Sequence, residues 1–130
     1  MRTVLTILII DDELGIVEAL SALLQDEGFR VLTAVNGRQG LEKLSELRPD
    51  LILVDFMMPV MDGPSMLAAL HEPGADPALA RIPVILMSAV PEAVVRKVAA
   101  GFVAFLRKPF DANNLIELVM RVLQQNRRPG

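Results

Sequence analysis

Leu51-Ile52-Leu53-Val54-Asp55 is the stretch on which the fold turns. Four consecutive branched apolar residues with no polar alternation suit a strand covered on both faces, the mark of a central strand in a parallel sheet. The run ends on a carboxylate. In open α/β sheets the carboxyl ends of the strands form the crevice where ligands bind, so Asp55 is delivered to a position where an acid is useful. Phe56 to Pro64 follows, with Pro59, Gly63 and Pro64 in it, and reads as an ordered loop.

The same design recurs along the chain. Val4 to Ile10 is an apolar strand candidate broken only by Thr6, and Asp11-Asp12-Glu13 follows it. Phe29 to Ala34 is a short strand punctuated by Asn36-Gly37, Pro83 to Met87 ends at Ser88, and Phe102 to Leu106 leads to Lys108-Pro109-Phe110. Between the strands, Ile16, Leu20, Leu23 and Leu24 recur at helical spacing before Gly28, and Leu41, Leu44 and Leu47 mark a second helix before Pro49. Pro64 suits a helix first turn continuing to His71, Glu72 to Pro77 is a surface loop, and Pro91 to Ala100 is expected to be helical up to Gly101. Asp111 is placed to cap a closing helix through Leu115, Leu118, Val119 and Val122. Strand and helix thus alternate five times, which predicts an α/β fold, a parallel sheet with helices on both faces and right-handed crossovers. A single domain over 1–125 with a polar tail at 126–130 is expected.

Composition narrows the classes of function. At 130 residues the chain holds one core and not two ordinary ones; 52% of it is hydrophobic and its net charge is −3, which argues against disorder and against a basic nucleic-acid surface. No direct DNA or RNA binding is expected. Cysteine is absent, so disulfides and thiolate metal sites are excluded. No apolar stretch approaches the roughly 20 residues that span a bilayer, and Met1-Arg2-Thr3 leads into a strand-like run and not a signal peptide, so a soluble cytoplasmic protein is expected.

Four strand ends carry Asp11 with Asp12, Asp55, Ser88 and Lys108, and the topology gathers them in one crevice. Clustered carboxylates repel unless a cation sits among them, and an all-oxygen site suits a hard divalent ion such as Mg²⁺. Lys108 adds a mobile positive charge and Ser88 a hydroxyl, so a phosphoryl group on Asp55 could be held by metal, lysine and hydroxyl together. Taken singly, each residue has a plainer reading: the acids as helix caps or loop residues, Ser88 as the cap of the next helix, Lys108 as a surface lysine. Met57, Met58 and Met61 lack the cysteine or histidine neighbours of a soft-metal site and read as gap-fillers. His71 and Arg127-Arg128 read as uninvolved surface.

In these residues the chain resembles the receiver domain of two-component response regulators. The matching pieces are Asp11-Asp12, Asp55 with Met58-Pro59-Val60-Met61-Asp62-Gly63 after it, Met87-Ser88-Ala89 and Lys108-Pro109-Phe110. The resemblance implies a flavodoxin-like strand order 2-1-3-4-5. It implies phosphorylation of Asp55 by a sensor histidine kinase or histidine phosphotransfer protein, and Mg²⁺ held by Asp11, Asp12, Asp55 and the backbone carbonyl of Met57. It implies a cis Lys108-Pro109 bond, and a switch through Ser88 and Phe105 that alters the surface of the fourth helix, fifth strand and fifth helix, the face where a homodimer would form. The domain would catalyse only its own phosphorylation and dephosphorylation. Two features depart from the family: Glu72 to Ile82 is longer than usual and Ser88 to Lys108 is shorter, while Ser88 keeps the hydroxyl of the commoner threonine. The end of the chain after the fifth helix suits either a stand-alone receiver or the first part of a longer regulator.

Other classes fit less well. An Mg²⁺-dependent phosphatase of the haloacid-dehalogenase type would place a proton-donating acid at position 57, where this chain has Met57. A flavodoxin-like cofactor site would need a Ser/Thr/Gly-rich phosphate loop after the first strand, where Asp11-Asp12-Glu13 would repel phosphate. A silent structural domain leaves the acid cluster unexplained.

Overall fold

Asp55 ends a strand whose five residues are all buried, at the middle of a five-stranded parallel sheet of order β2-β1-β3-β4-β5. The structure is a computed structural model and describes residues 3–126. The elements run β1 (Thr6–Ile10), α1 (Leu14–Asp26), β2 (Arg30–Ala34), α2 (Gly37–Leu47), β3 (Leu51–Asp55), α3 (Gly63–Leu70), α4 (Pro77–Ala80), β4 (Val84–Ser88), α5 (Glu92–Val95), β5 (Ala104–Arg107) and α6 (Ala112–Asn126). The expected fold class and strand order are thus observed. The fourth and fifth helices of the expected pattern are α5 and α6, because α4 is an additional single turn. Arg127-Arg128 and most of the expected tail lie outside the described residues.

Period-two alternation splits the strand side chains between two cores. Ile7, Ile9, Leu51, Leu53, Ile85 and Met87 face α1 and α6, whose Leu20, Leu24, Leu115 and Val119 complete that layer. Leu8, Ile10, Ile52, Val54, Val84 and Leu86 face the opposite way, against Leu44 of α2, Met66 and Leu67 of α3 and Val95 of α5. Burial of each such side chain contributes roughly 1.5–3 kcal/mol, so the sheet is the rigid part of the molecule and its carboxyl edge a fixed platform.

The helix starts follow from local chemistry. Asn36, Asp62 and Asp111 accept the amide protons of Gln39, Ser65 and Asn114 at 2.9, 2.8 and 2.8 Å, satisfying donors that the first helical turn leaves unpaired. Asp76 does the same for Ala78 at 2.9 Å, with Pro77 behind it, and so turns the end of the expected loop into α4.

One element is corrected: Pro91 to Ala100 is not a continuous helix. Only Glu92–Val95 is α-helical, and the chain then tightens into i→i+3 turns from Lys97 to Val94 and from Val98 to Val95. Three β-branched residues, Val94, Val95 and Val98, favour helix weakly, and only Val95 is buried to anchor it. The strand ends also shift by a residue or two. β1 begins at Thr6, which lies opposite Arg30, and Ile7 is opposite Leu51; Leu5 stays outside it although its carbonyl accepts the Arg30 amide at 2.9 Å.

Candidate functional site

The register sets the site. Ile10 lies opposite Val54, so Asp11 and Asp55 leave neighbouring strands at the same edge, and Ser88 ends β4 opposite Arg107, one residue before Lys108. Asp11 is 0% exposed, Asp55 7% and Ser88 2%, the three buried polar side chains of the molecule's described part. Asp12 is exposed beside them. Lys108 Nζ lies 2.8 Å from Asp55 Oδ1 and 3.2 Å from Asp11 Oδ2, and bridges the two acids. The other Asp11 oxygen accepts the Glu13 amide at 3.0 Å, so Asp11 also does the local work of a turn acceptor.

Burial pushes the Asp55 carboxyl above its ordinary range, and the charges of Asp11 and Asp12 add to that push, against the hydrogen bond and charge of Lys108. Burial alone would lower the Lys108 ammonium, but its hydrogen bond to Asp55 and the charges of Asp55 and Asp11 outweigh burial and hold it above its ordinary value. The net repulsion among the acids is what a bound cation would relieve. Asp11, Asp12 and Asp55 each offer an oxygen within 4.8 Å of the others, a donor set and spacing that fit a hard divalent ion. Met57 lines the same cavity of about 270 Å³ as Asp12, Asp55, Ser88 and Lys108, with its side chain 69% exposed.

The loop after Asp55 is tightly tied. Phe56 N–H donates to Met87 O at 2.8 Å, Gly63 N–H to Phe56 O at 3.1 Å, and Gly37 N–H to Met61 O at 2.9 Å. Met61 N–H reaches back to Pro59 O at 2.7 Å around Val60, whose φ is 68°. That is a γ-turn of the rare, strained hand, occupied by a β-branched residue that is 75% exposed. Apart from its turn-forming residues, nothing in the sequence signals this strain.

Ser88 is not the cap of the next helix, since Pro91 occupies that position; its Oγ instead accepts the Val90 amide at 2.9 Å. The Lys108-Pro109 bond is cis. Phe105 is half-buried against the core layer of Val84, Leu86 and Val95, with its ring centroid 6.4 Å from that of Phe102. Phe102 in turn carries the Arg96 guanidinium 4.5 Å above its ring, and Arg96 is held by Glu92 at 2.7 Å. This packing was not legible beforehand, because it depends on how the short α5 turns back toward β5. His71 is exposed, as expected, yet not free of contacts: its Nδ1 lies 2.9 Å from Leu67 O and its ring covers the Cα of Gly101.

A doubly wound sheet with three clustered aspartates and a bridging lysine at its carboxyl edge defines a class of small α/β domains with one acidic pocket. Within that class the chain belongs to the response regulator receiver domain family, whose sequence pattern matches residues 7–120. It is 39% identical over 127 residues to the transcriptional regulatory protein PrrA of Mycobacterium tuberculosis, covering 95% of this chain and 51% of that protein. It is 37% identical to the regulatory protein AtoC of Escherichia coli K12, covering 95% of this chain and 26% of the relative. The chain therefore spans about half or less of these curated relatives. Among solved structures, the receiver domain of the sensor histidine kinase PA1611 from Pseudomonas aeruginosa superposes with a TM-score of 0.85 at 27% identity, over 94% of this chain and 99% of that one. That domain has a magnesium ion coordinated in its active-site cleft.

Proposed function

We propose that this receiver domain takes a phosphoryl group onto Asp55 from a sensor histidine kinase or a histidine phosphotransfer protein. An Asp55 oxygen would attack the phosphorus of the donor phosphohistidine as the N–P bond breaks, and the departing imidazole keeps the electron pair and gains a proton from solvent. The observation that carries this reading is the seat of Lys108, within hydrogen-bond reach of Asp55 and Asp11 in a pocket that is otherwise acidic. Its ammonium would pass from the carboxylates to the phosphoryl oxygens as charge builds there. Asp11, Asp12, Asp55 and the Met57 carbonyl would hold Mg²⁺, which supplies charge neutralisation for the incoming phosphoryl oxygens. An apolar groove beside Lys108, lined by Ile16, Leu20, Leu23, Pro109 and Phe110, supports docking of the donor's helix. Turnover is confined to the domain's own aspartyl phosphate.

The output would be a change on the surface of α5, β5 and α6, where Val94 of α5 and Val98 and Val103 of the connection from α5 to β5 are exposed and suit contact with a second copy. Ser88 would release the Val90 amide to meet the phosphoryl group, and Phe105 would rotate into the space behind it. Hydrogen exchange with and without beryllofluoride tests this. Wild type should change at Val90 to Phe105 and in α6, and Ser88→Ala should still bind the mimic with changes confined to the acid pocket. Wild-type changes confined to that pocket would remove the switch.

A further inference from the structure

Three hydrogen bonds hold the turn after β4. Lys108 N–H donates to Ser88 O at 2.8 Å, a sheet bond that pins the Ser88 backbone. Val90 N–H donates to Ser88 Oγ at 2.9 Å. The third crosses from the neighbouring strand: Arg107 Nε donates to the Ala89 carbonyl at 2.8 Å. Arg107 forms no ion pair among the described residues, and this bond is its polar contact there.

We propose that Arg107 is a positioning residue, a latch on the Ala89 carbonyl that holds the 88–90 turn in its resting arrangement. The proposal rests on the reading of Asp55 as phosphoacceptor. Because the Ser88 backbone is pinned, its hydroxyl reaches a phosphoryl group by rotating its side chain, and that rotation takes the acceptor away from Val90 N–H. The turn must then re-form, and the next carbonyl in it is the one Arg107 holds. A guanidinium is a donor with no acceptor role, so this solvent-exposed bond is available whenever the turn is in this shape. A contact made in the resting state alone adds to the free-energy gap that phosphorylation must overcome, and its loss shifts the population toward the switched state.

The test uses the full chain, Mg²⁺ and beryllofluoride, followed by NMR titration of wild type and Arg107→Ala. The variant should bind beryllofluoride roughly two- to tenfold more tightly, the range set by one ordinary hydrogen bond. Its Mg²⁺ affinity without fluoride should be unchanged, and its free Val90 amide should already be displaced toward the bound position. Removal of a positive charge alone would weaken binding of an anionic mimic, so a gain in affinity has no electrostatic source. Equal or weaker binding, or a free Val90 amide at its wild-type position, overturns the latch while leaving the phosphoacceptor reading intact. A wild type that does not bind beryllofluoride overturns both.

Discussion

Gly63 is the residue that lets α3 begin directly under the strand that ends in Asp55, and a single methyl group there tests the packing on which the site rests. A Cβ at Gly63 would sit 2.7 Å from the carbonyl oxygen of Asp55 and 3.2 Å from Phe56 Cα and Leu86 Cδ1, where real Cβ atoms essentially never come below 3.0 Å. Two of these three neighbours are backbone, and Gly63 N–H is bonded to Phe56 O at 3.1 Å, so the helix start cannot move aside without giving up that bond. Overpacking of this kind costs about 1–3 kcal/mol, a large share of a stability on the order of 5–15 kcal/mol, and Gly63→Ala should lower Tm by roughly 4–12 °C. Gly15→Ala is the control. It lies in α1 with nothing within 4 Å of its Cβ position, so alanine there should stabilise by about 0.5 kcal/mol through helix propensity. The chain has no Trp or Tyr, so urea unfolding followed by far-ultraviolet circular dichroism is the suitable assay. If Gly63→Ala matched wild type within about 0.5 kcal/mol, an effect typical of a neutral surface substitution, the close approach of α3 to Asp55 would be refuted.

Mg²⁺ should stabilise wild type by about 1.4 kcal/mol at tenfold excess over its Kd, read as a rise in Tm, and Asp12→Ala should lose most of that rise. An equal shift in the variant would place the ion elsewhere. Met57 and Val90 both line the cavity beside Asp55, and neither side chain is suited to orient a water by a hydrogen bond, so the proposed acyl phosphate should be long-lived. Met57→Asn should speed its loss without changing Mg²⁺ affinity, and an unchanged decay would remove that argument. Val60→Gly should stabilise by about 1 kcal/mol in urea, because relief of a positive-φ valine outweighs the entropy of glycine. A loss of stability would mean that Val60 makes packing contacts that outweigh its strain.

The features legible in the sequence were those set by uninterrupted apolar runs and by the polar residues that end them. Leu51 to Asp55 reads as a buried central strand because nothing in it is polar before the carboxylate, and the parallel sheet then brings Asp11, Asp12, Asp55, Ser88 and Lys108 to one edge. Features that depend on partners were not legible. Val4 and Leu5 look like strand, but the paired register begins at Thr6 and Leu5 adds its carbonyl, which accepts the Arg30 amide, and Pro91 to Ala100 looks like helix while only Val95 finds a core to bury in. Asp76-Pro77 did carry the signal of a helix start, masked by the breakers around it. The bonds of Ser88 Oγ to Val90 and of Arg107 to Ala89 arise from rotamers and from the turn of a short loop, which residue spacing does not encode.

The most direct test of the account is incubation with acetyl phosphate and Mg²⁺, followed by intact mass and peptide mapping. One phosphoryl group should appear on Asp55, be released by base or hydroxylamine, and be absent from Asp55→Asn. A modification that survives base, or that persists in Asp55→Asn, would contradict the assignment of Asp55 as the phosphoacceptor.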